Sequence, residues 1–215
     1  MSGIMLNIAG GTFAAPIPII GSAFGGGYFA GQISTAGNGI ADYNLVVGPI
    51  ASAQAGTTLQ WKTTNTATVG TSSVIDGPTN SSNMNNASHP AGQFCEGLTI
   101  GGFSDWYMPA KNELEVCYYN LKPTTSSNAT SSGINANAVP TRASNYTAGT
   151  PAQTSATDFK DTGSEDFAAL SSDGYWSSTA YSATYAWKQT FYSGTQNYGG
   201  KNFPYRVRAI RRVAV

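Results

Sequence analysis

The stretch GGFSDWYMPAKNEL, residues 101–114, packs an aspartate, a lysine, a glutamate and three aromatic rings into a chain where only 10% of residues are charged. Such density invites an active-site reading, yet each member has a structural task. Gly101 and Gly102 give the backbone freedom for a tight turn, and Asp105 can fold its carboxylate onto nearby amides. Trp106 and Met108 supply large apolar bodies, and Pro109 presets φ for a helix start. Glu113 stands three residues after Ala110, half of a capping box in which a serine or threonine would serve better than alanine.

Downstream, Leu114, Cys117, Tyr118 and Leu121 fall at i, i+3, i+4 and i+7, the apolar stripe of a helix packed on a core, and Pro123 ends it. Upstream, GGYFAGQI and DYNLVVGPI read as strands bounded by Gly, Asn and Pro. A Thr/Ser-rich connection follows from Gln60, and NMNNASHPAGQFCEGL carries a weak helical period limited by Pro90. Residues 122–153 are almost wholly Thr, Ser, Asn, Ala, Gly and Pro, a loop long enough to be either functional or pinned by neighbours. TSATDFKDTGSEDFAAL offers one or two short helical turns. AWKQTFY and YRVRAIRRV alternate with period two, as strands do. The order predicts one α+β domain of two helices on a mixed, mostly antiparallel sheet with long loops.

At 215 residues the chain can build one sizeable core. Net charge is zero and aromatics reach 12%, which argues against disorder. Charge is unevenly placed. No acid follows Asp173, where Lys188, Lys201 and Arg206, Arg208, Arg211 and Arg212 all lie. Balance by Asp158, Asp161, Glu165, Asp166 and Asp173 within the same domain is preferred to a nucleic-acid surface. Residues 1–27 hold no charge, and Pro16 and Pro18 interrupt an apolar run containing Ile4, Leu6, Ile8, Phe13, Ile17, Ile19, Ile20 and Phe24. That run lacks the basic start of a signal peptide and the length of a membrane span, so it reads as an assembly segment docking on a partner chain, with no membrane insertion. The remaining domain is taken as 28–215. Cys95 and Cys117 make neither a disulfide framework nor a zinc pattern. Four Asn-x-Ser/Thr sequons, at Asn80, Asn86, Asn128 and Asn145, suit the Asn/Ser/Thr-rich composition without implying glycosylation.

Tests for catalysis come back weak. The one histidine, His89, sits beside Pro90 in a polar stretch, and no Gly-x-Ser-x-Gly elbow occurs. Glu113 and Glu115 are two apart on a helix and point to different faces, a poor acid–base pair. Glu165 and Asp166 read as a solvated helix start. SAFGGGYFAG lacks the Lys-Ser/Thr of a phosphate loop. No enzyme activity, metal or cofactor is expected.

The motifs together resemble a known family. GGFSDWYMPAKNEL followed by YWSSTAYSATYAWKQTFYSGTQNYGGKNFPYRVRAIRRV is similar to the Lcl-C-terminal-type domain, a C-type-lectin-like fold, from roughly Tyr28 onward. Asp105, Trp106, Pro109, Glu113, Trp176, Trp187 and Arg208 are the motif residues, and the resemblance gives them fold-holding roles. The polar section around residues 59–95 looks like the version of this domain in tailed-phage virion proteins. The resemblance implies a virion protein, a fibre, tail tip or capsid decoration, docked on other virion proteins by its N-terminal segment. A homotrimer and a host-surface glycan or protein partner are expected with it, and a secreted bacterial adhesin or carbohydrate-binding module is the alternative. By analogy with similar phage proteins, the binding surface falls on Tyr181, Tyr185, Gln189, Tyr192, Gln196, Asn197, Tyr198, Lys201 and Asn202. Tyrosine suits that task through amphipathic area, and Asn and Gln through adaptable hydrogen bonds. The calcium tripeptides of true C-type lectins are missing.

Overall fold

The computed structural model describes residues 16–215. Ile4, Leu6, Ile8 and Phe13 of the expected assembly segment lie outside the described residues. Along the chain run β1 (Ala23–Phe24), β2 (Gly27–Ile33), β3 (Tyr43–Val47), α1 (Ile50–Ala53), β4 (Leu59–Gln60), α2 (Gly77–Ser82), α3 (Pro90–Glu96) and α4 (Lys111–Leu121). There follow β5 (Ala138–Val139), a single 3₁₀ turn at Thr157–Phe159, β6 (Tyr175–Ala180), β7 (Tyr185–Gln189), β8 (Gln196–Gly200), β9 (Pro204–Tyr205) and β10 (Ile210–Ala214). The class is α+β, as expected, but with four α-helices among the described residues rather than two. The additional α2 starts in GPTN, at the end of the expected Thr/Ser-rich connection. Asp76 accepts from the Thr79 N–H at 3.2 Å, and Pro78 sits in the first turn, so turn chemistry here opens a helix.

The larger sheet runs β1-β2-β3-β10, with β5 added along β2, and every strand pair named is antiparallel. The smaller sheet is the meander β6-β7-β8, and β4 pairs with β9. The longest helix, α4, packs on β2 and also on β6 and β7, and so links the two main sheets. A bulge at Phe29/Gly31 permits the close approach. Gly31 has φ +130°, and a Cβ there would meet the Asn120 amide and Val116 of α4. All four residues of the predicted stripe are buried in a cluster with Leu45, Val47, Phe191 and Ile210. A second cluster gathers Trp61, Met84, Trp106, Met108, Trp176 and Val207.

Two boundaries move. Ile20 packs against the first cluster, Phe24 against the second, and β1 pairs with β2, so the segment from Ile20 belongs to the domain rather than to a separate anchor. Ile17 and Ile19 remain exposed, at 66% and 79%. The expected single strand YRVRAIRRV is broken into β9 and β10, and Val207, Arg208, Ala209 and Ile210 between them are all buried. The alternation anticipates one buried face; here the segment passes between the two clusters and buries both.

The opening stretch is a turn, a core plug and a helix start. Gly101 and Gly102 take left-handed φ of 62° and 81°. Trp106 is 1% exposed. Glu113 accepts from the Ala110 N–H at 2.8 Å, the anticipated half of the capping box. It also accepts from the Tyr107 hydroxyl and from Arg212 Nε at 2.8 Å. Burial raises the Glu113 carboxyl above its ordinary value, and Arg212 opposes that rise. Asp105 departs from expectation. Instead of capping amides it grips Arg211 with both oxygens, at 2.7 and 2.8 Å, and this guanidinium holds its carboxyl below the usual range.

Each of the five arginines in the chain meets a carboxylate: Arg142–Glu115, Arg206–Asp173, Arg208–Glu165, Arg211–Asp105 and Arg212–Glu113. The C-terminal charge is balanced within the domain, but two of the partners come from the 101–114 stretch. Glu165 is not a solvated helix start. It is 8% exposed and accepts from Arg208 Nη2 and from the Ile50 N–H, each at 2.7 Å. Arg208 also donates to the Gly48 and Glu165 carbonyls, at 2.9 Å each, and lies over the Phe167 ring at 4.7 Å. His89 precedes α3 and is 5% exposed against Trp61. Its Nδ1 lies 2.8 Å from Asn86 Oδ1 and its Nε2 2.8 Å from the Thr68 hydroxyl. Burial, reinforced by Lys62 and Lys201, lowers its pKa to about 4.

Two outcomes follow. Arg208→Lys keeps the charge but cannot reach Gly48 and both Glu165 acceptors, so urea unfolding should show a loss of roughly 3–5 kcal/mol with an unchanged m-value. His89 is neutral in the fold, so the unfolded chain binds the extra proton between pH about 6.5 and about 4, and stability falls as pH drops through that window. His89→Gln should flatten this part of the stability–pH curve relative to the parent chain, measured by thermal unfolding.

Candidate recognition face on the C-terminal meander

Cross-strand pairing decides which of the candidate residues meet. Trp187 faces Tyr198, Tyr185 faces Gly200 and Gln189 faces Gln196. Side chains alternate along a strand, so Tyr185, Trp187, Gln196 and Tyr198 share one face of β7-β8. Tyr181, just past β6, joins them through its N–H bond to the Tyr185 carbonyl at 2.9 Å. Its ring stacks on Tyr198 with centroids 4.1 Å apart and planes 3° from parallel, and it meets Trp187 edge-on at 5.1 Å. Tyr185 stands edge-on to Tyr198 at 5.3 Å. All three tyrosines remain nearly half exposed, although each ring has a partner. Fixed rings need little further ordering on contact, which suits them to binding.

Asn197 and Asn202 are exposed, but Asn197 pairs with Lys188 and so lies on the other face of β8, and Gln196 is half-buried. Tyr192 is exposed, but no ring contact among the described residues joins it to the cluster. Two candidates are inside and cannot meet a partner directly. Gln189 is 1% exposed because the 129–147 loop closes over that end of the sheet; its Nε2 reaches the Gly194 carbonyl at 3.2 Å and the Tyr146 hydroxyl at 3.4 Å. Lys201 is fully buried, its ammonium 4.5 Å from the Trp61 ring centroid, and burial together with Lys62 lowers its pKa to about 8. Turn chemistry at GGKN signals an exposed tip, but the Lys201 side chain folds back beneath it.

A cleft of about 200 Å³ adjoins the cluster, lined by Lys111, Ser131, Ile134, Asn145, Trp187 and Gln196 among others. Trp187, expected as a fold-holding residue, is thus also a wall of the candidate face. The other three tryptophans, Trp61, Trp106 and Trp176, are at most 1% exposed. Its shared strand parity with Tyr185 carries this signal; the return of the 131–145 loop does not show in the sequence. Glu115 fixes that loop, accepting from Asn135 Nδ2 at 2.6 Å, Tyr146 Oη at 2.7 Å and Arg142 Nε at 3.0 Å. A separate apolar groove of about 450 Å³ runs along Pro16, Ile17, Pro18, Phe24 and Val215.

Other chemistry is absorbed by the fold. Both cysteines are buried and unbonded, and burial pushes both thiols up. Among the described residues no group of three or more His, Cys, Asp or Glu is placed to hold a metal ion, and no helix is long and apolar enough to cross a membrane.

Comparison with protein families identifies the scaffold. Residues 53–211 match the Lcl C-terminal domain. The chain belongs to that family. The match begins at Ala53, later than the Tyr28 expected from the motifs, so β1, β2 and β3 precede the matched part of this Lcl C-terminal domain while pairing into its sheet. No curated protein matches the chain.

Trp187 is partly exposed while the other three tryptophans are at most 1% exposed, so iodide should quench a minority fraction of the fluorescence of this Lcl C-terminal domain. Trp187→Phe should remove that accessible fraction, and Tyr181→Ala should enlarge it, as read from Stern–Volmer plots.

Proposed function

We propose that this Lcl C-terminal domain is a non-catalytic recognition module on a tailed-phage particle, used for attachment to the host surface. In this reading the domain has a C-type-lectin-like fold, assembles as a homotrimer and docks on other virion proteins through its N-terminal segment. One observation carries the recognition role: the Tyr181–Tyr198 stack, with Tyr185, held nearly half-exposed beside the partly buried Trp187 on a meander whose far end is covered by a pinned loop. Preorganised aromatic rings amid neutral amides are the composition of binding surfaces that gain contact area at low entropic cost. Five of the eleven carboxylates are held by arginines, including both members of the Glu113/Glu115 pair, which favours binding over acid–base chemistry. The particle context rests on the sequence resemblance, and the exposed Ile17 and Ile19 beside an apolar groove fit a segment that another chain covers.

Mass spectrometry of purified particles tests the location: the chain should be recovered at stoichiometric levels, and its absence would defeat the proposal. On particles that carry it, Tyr181→Ala with Tyr198→Ala should lower host adsorption at least tenfold with assembly unchanged. Normal adsorption by that double variant would leave decoration, not attachment, as the role.

A further inference from the structure

We infer that the cleft beside Trp187 is a subsite for one uncharged sugar unit, with the tyrosine cluster contacting the adjoining units of the same glycan. This deepens the attachment reading and rests on it for the place where such a glycan would be met. The cleft, at about 200 Å³, is smaller than a drug-sized pocket and nearer the size of a single pyranose ring. A sugar ring presents C–H groups on its faces and hydroxyls around its edge. The lining answers both, with Trp187 and Ile134 for the apolar part and Ser131, Asn145 and Gln196 to donate and accept.

Gln196 adds a specific signal. Its Oε1 accepts from the Gly133 N–H at 3.4 Å, which fixes the orientation of the amide, since a flip would set donor against donor. Its Nε2 is then buried with no partner among the described residues, and the Oε1 of its cross-strand neighbour Gln189 is in the same state. Buried polar atoms are seldom left unmatched. Gln189 lies beneath the loop and is out of a ligand's reach, but Gln196 is in the cleft lining, and a ligand hydroxyl can accept from its unmet donor.

The charges argue for a neutral ligand. No carboxylate occurs from residue 116 to 157 or after Asp173. The cations near this face are turned to other partners: Arg142 to Glu115, Lys188 over the Tyr205 ring at 4.5 Å, and Lys201 over Trp61. Lys111, the one charged group in the lining, lies over Trp187 at 5.0 Å. A polyanion needs a row of free cations, and this face does not offer one.

The test titrates the purified chain with uncharged tetrasaccharides of glucose (α- and β-linked), mannose and N-acetylglucosamine, and with a heparin tetrasaccharide, by calorimetry and tryptophan emission. At least one uncharged sugar should bind saturably, shift the Trp187 emission and hold its affinity between 50 and roughly 500 mM salt, where exposed charge pairs are screened. Gln196→Ala and Asn145→Ala should each weaken it by about three- to tenfold with unchanged unfolding midpoints. Binding of the sulfated sugar alone, no binding in the panel, or affinity untouched by Gln196→Ala would each overturn the inference. If Tyr181/Tyr198 particles lose adsorption while no sugar binds, the attachment reading stands without the sugar subsite. If a sugar binds while particles lack the chain, the subsite stands without the attachment reading.

Discussion

Arginine–carboxylate pairing in the interior is the constraint on which the arrangement of this domain turns. The last strand region brings four guanidinium groups to four separate places: Asp173 before β6, Glu165 after the long loop, Asp105 in the aromatic turn and Glu113 at the start of α4. No two of these sites are neighbours in sequence except Arg211 and Arg212, whose side chains leave opposite faces of β10. The C-terminal segment therefore works as a clasp. It joins the turn, the main helix and the loop to the larger sheet, and any register other than the observed one would strand several charges in apolar surroundings.

The same economy of charge explains the surface. Most cations and carboxylates lie inside or at half-buried seams, with Asp42, Asp105, Asp158 and Asp161 exposed, and much of the exterior is Ser, Thr, Asn and Tyr. Lysine has a different place from arginine here. Each arginine pairs with a carboxylate, and Arg142, Arg208, Arg211 and Arg212 lie over rings as well, whereas Lys111, Lys188 and Lys201 lie along aromatic rings without a carboxylate partner among the described residues. On the proposed reading, a face built from such groups would recognise by shape, stacking and hydrogen bonds, with little long-range steering.

Local physics was readable where one element decides its own form. The stripe Leu114, Cys117, Tyr118 and Leu121 gives α4, the aromatic and β-branched runs give β2 and β3, and Glu113 shows its cap. What could not be read depends on distant partners. Glu165 reads as a solvated end because its neighbours are polar, while its real surroundings come from Arg208 and the β3–α1 corner. Arg206–Ala209 reads as a half-buried strand because alternation is visible and a second covering layer is not. Gln189 and Lys201 are recognition candidates by the resemblance alone, yet a loop from forty residues away covers one and the side chain of the other folds inward. Of the candidate face, the tyrosines were named by the resemblance, while β8 lies in SGTQNYGGKN, whose Gly and Asn content reads as a turn, so its pairing with β7 was not legible. Nor was the cleft, since half its wall returns from the 131–145 segment.

That segment is tied down by a single buried carboxylate. Glu115 grips Asn135, Arg142 and Tyr146, and between those three ties the chain exposes Ala136, Ala143, Ser144 and Asn145. The ties and the exposed positions are separate residues, so the rim can change its side chains while the loop keeps its path. A domain built this way can acquire a new preference by a few surface substitutions, at positions where the packing of the core has no vote.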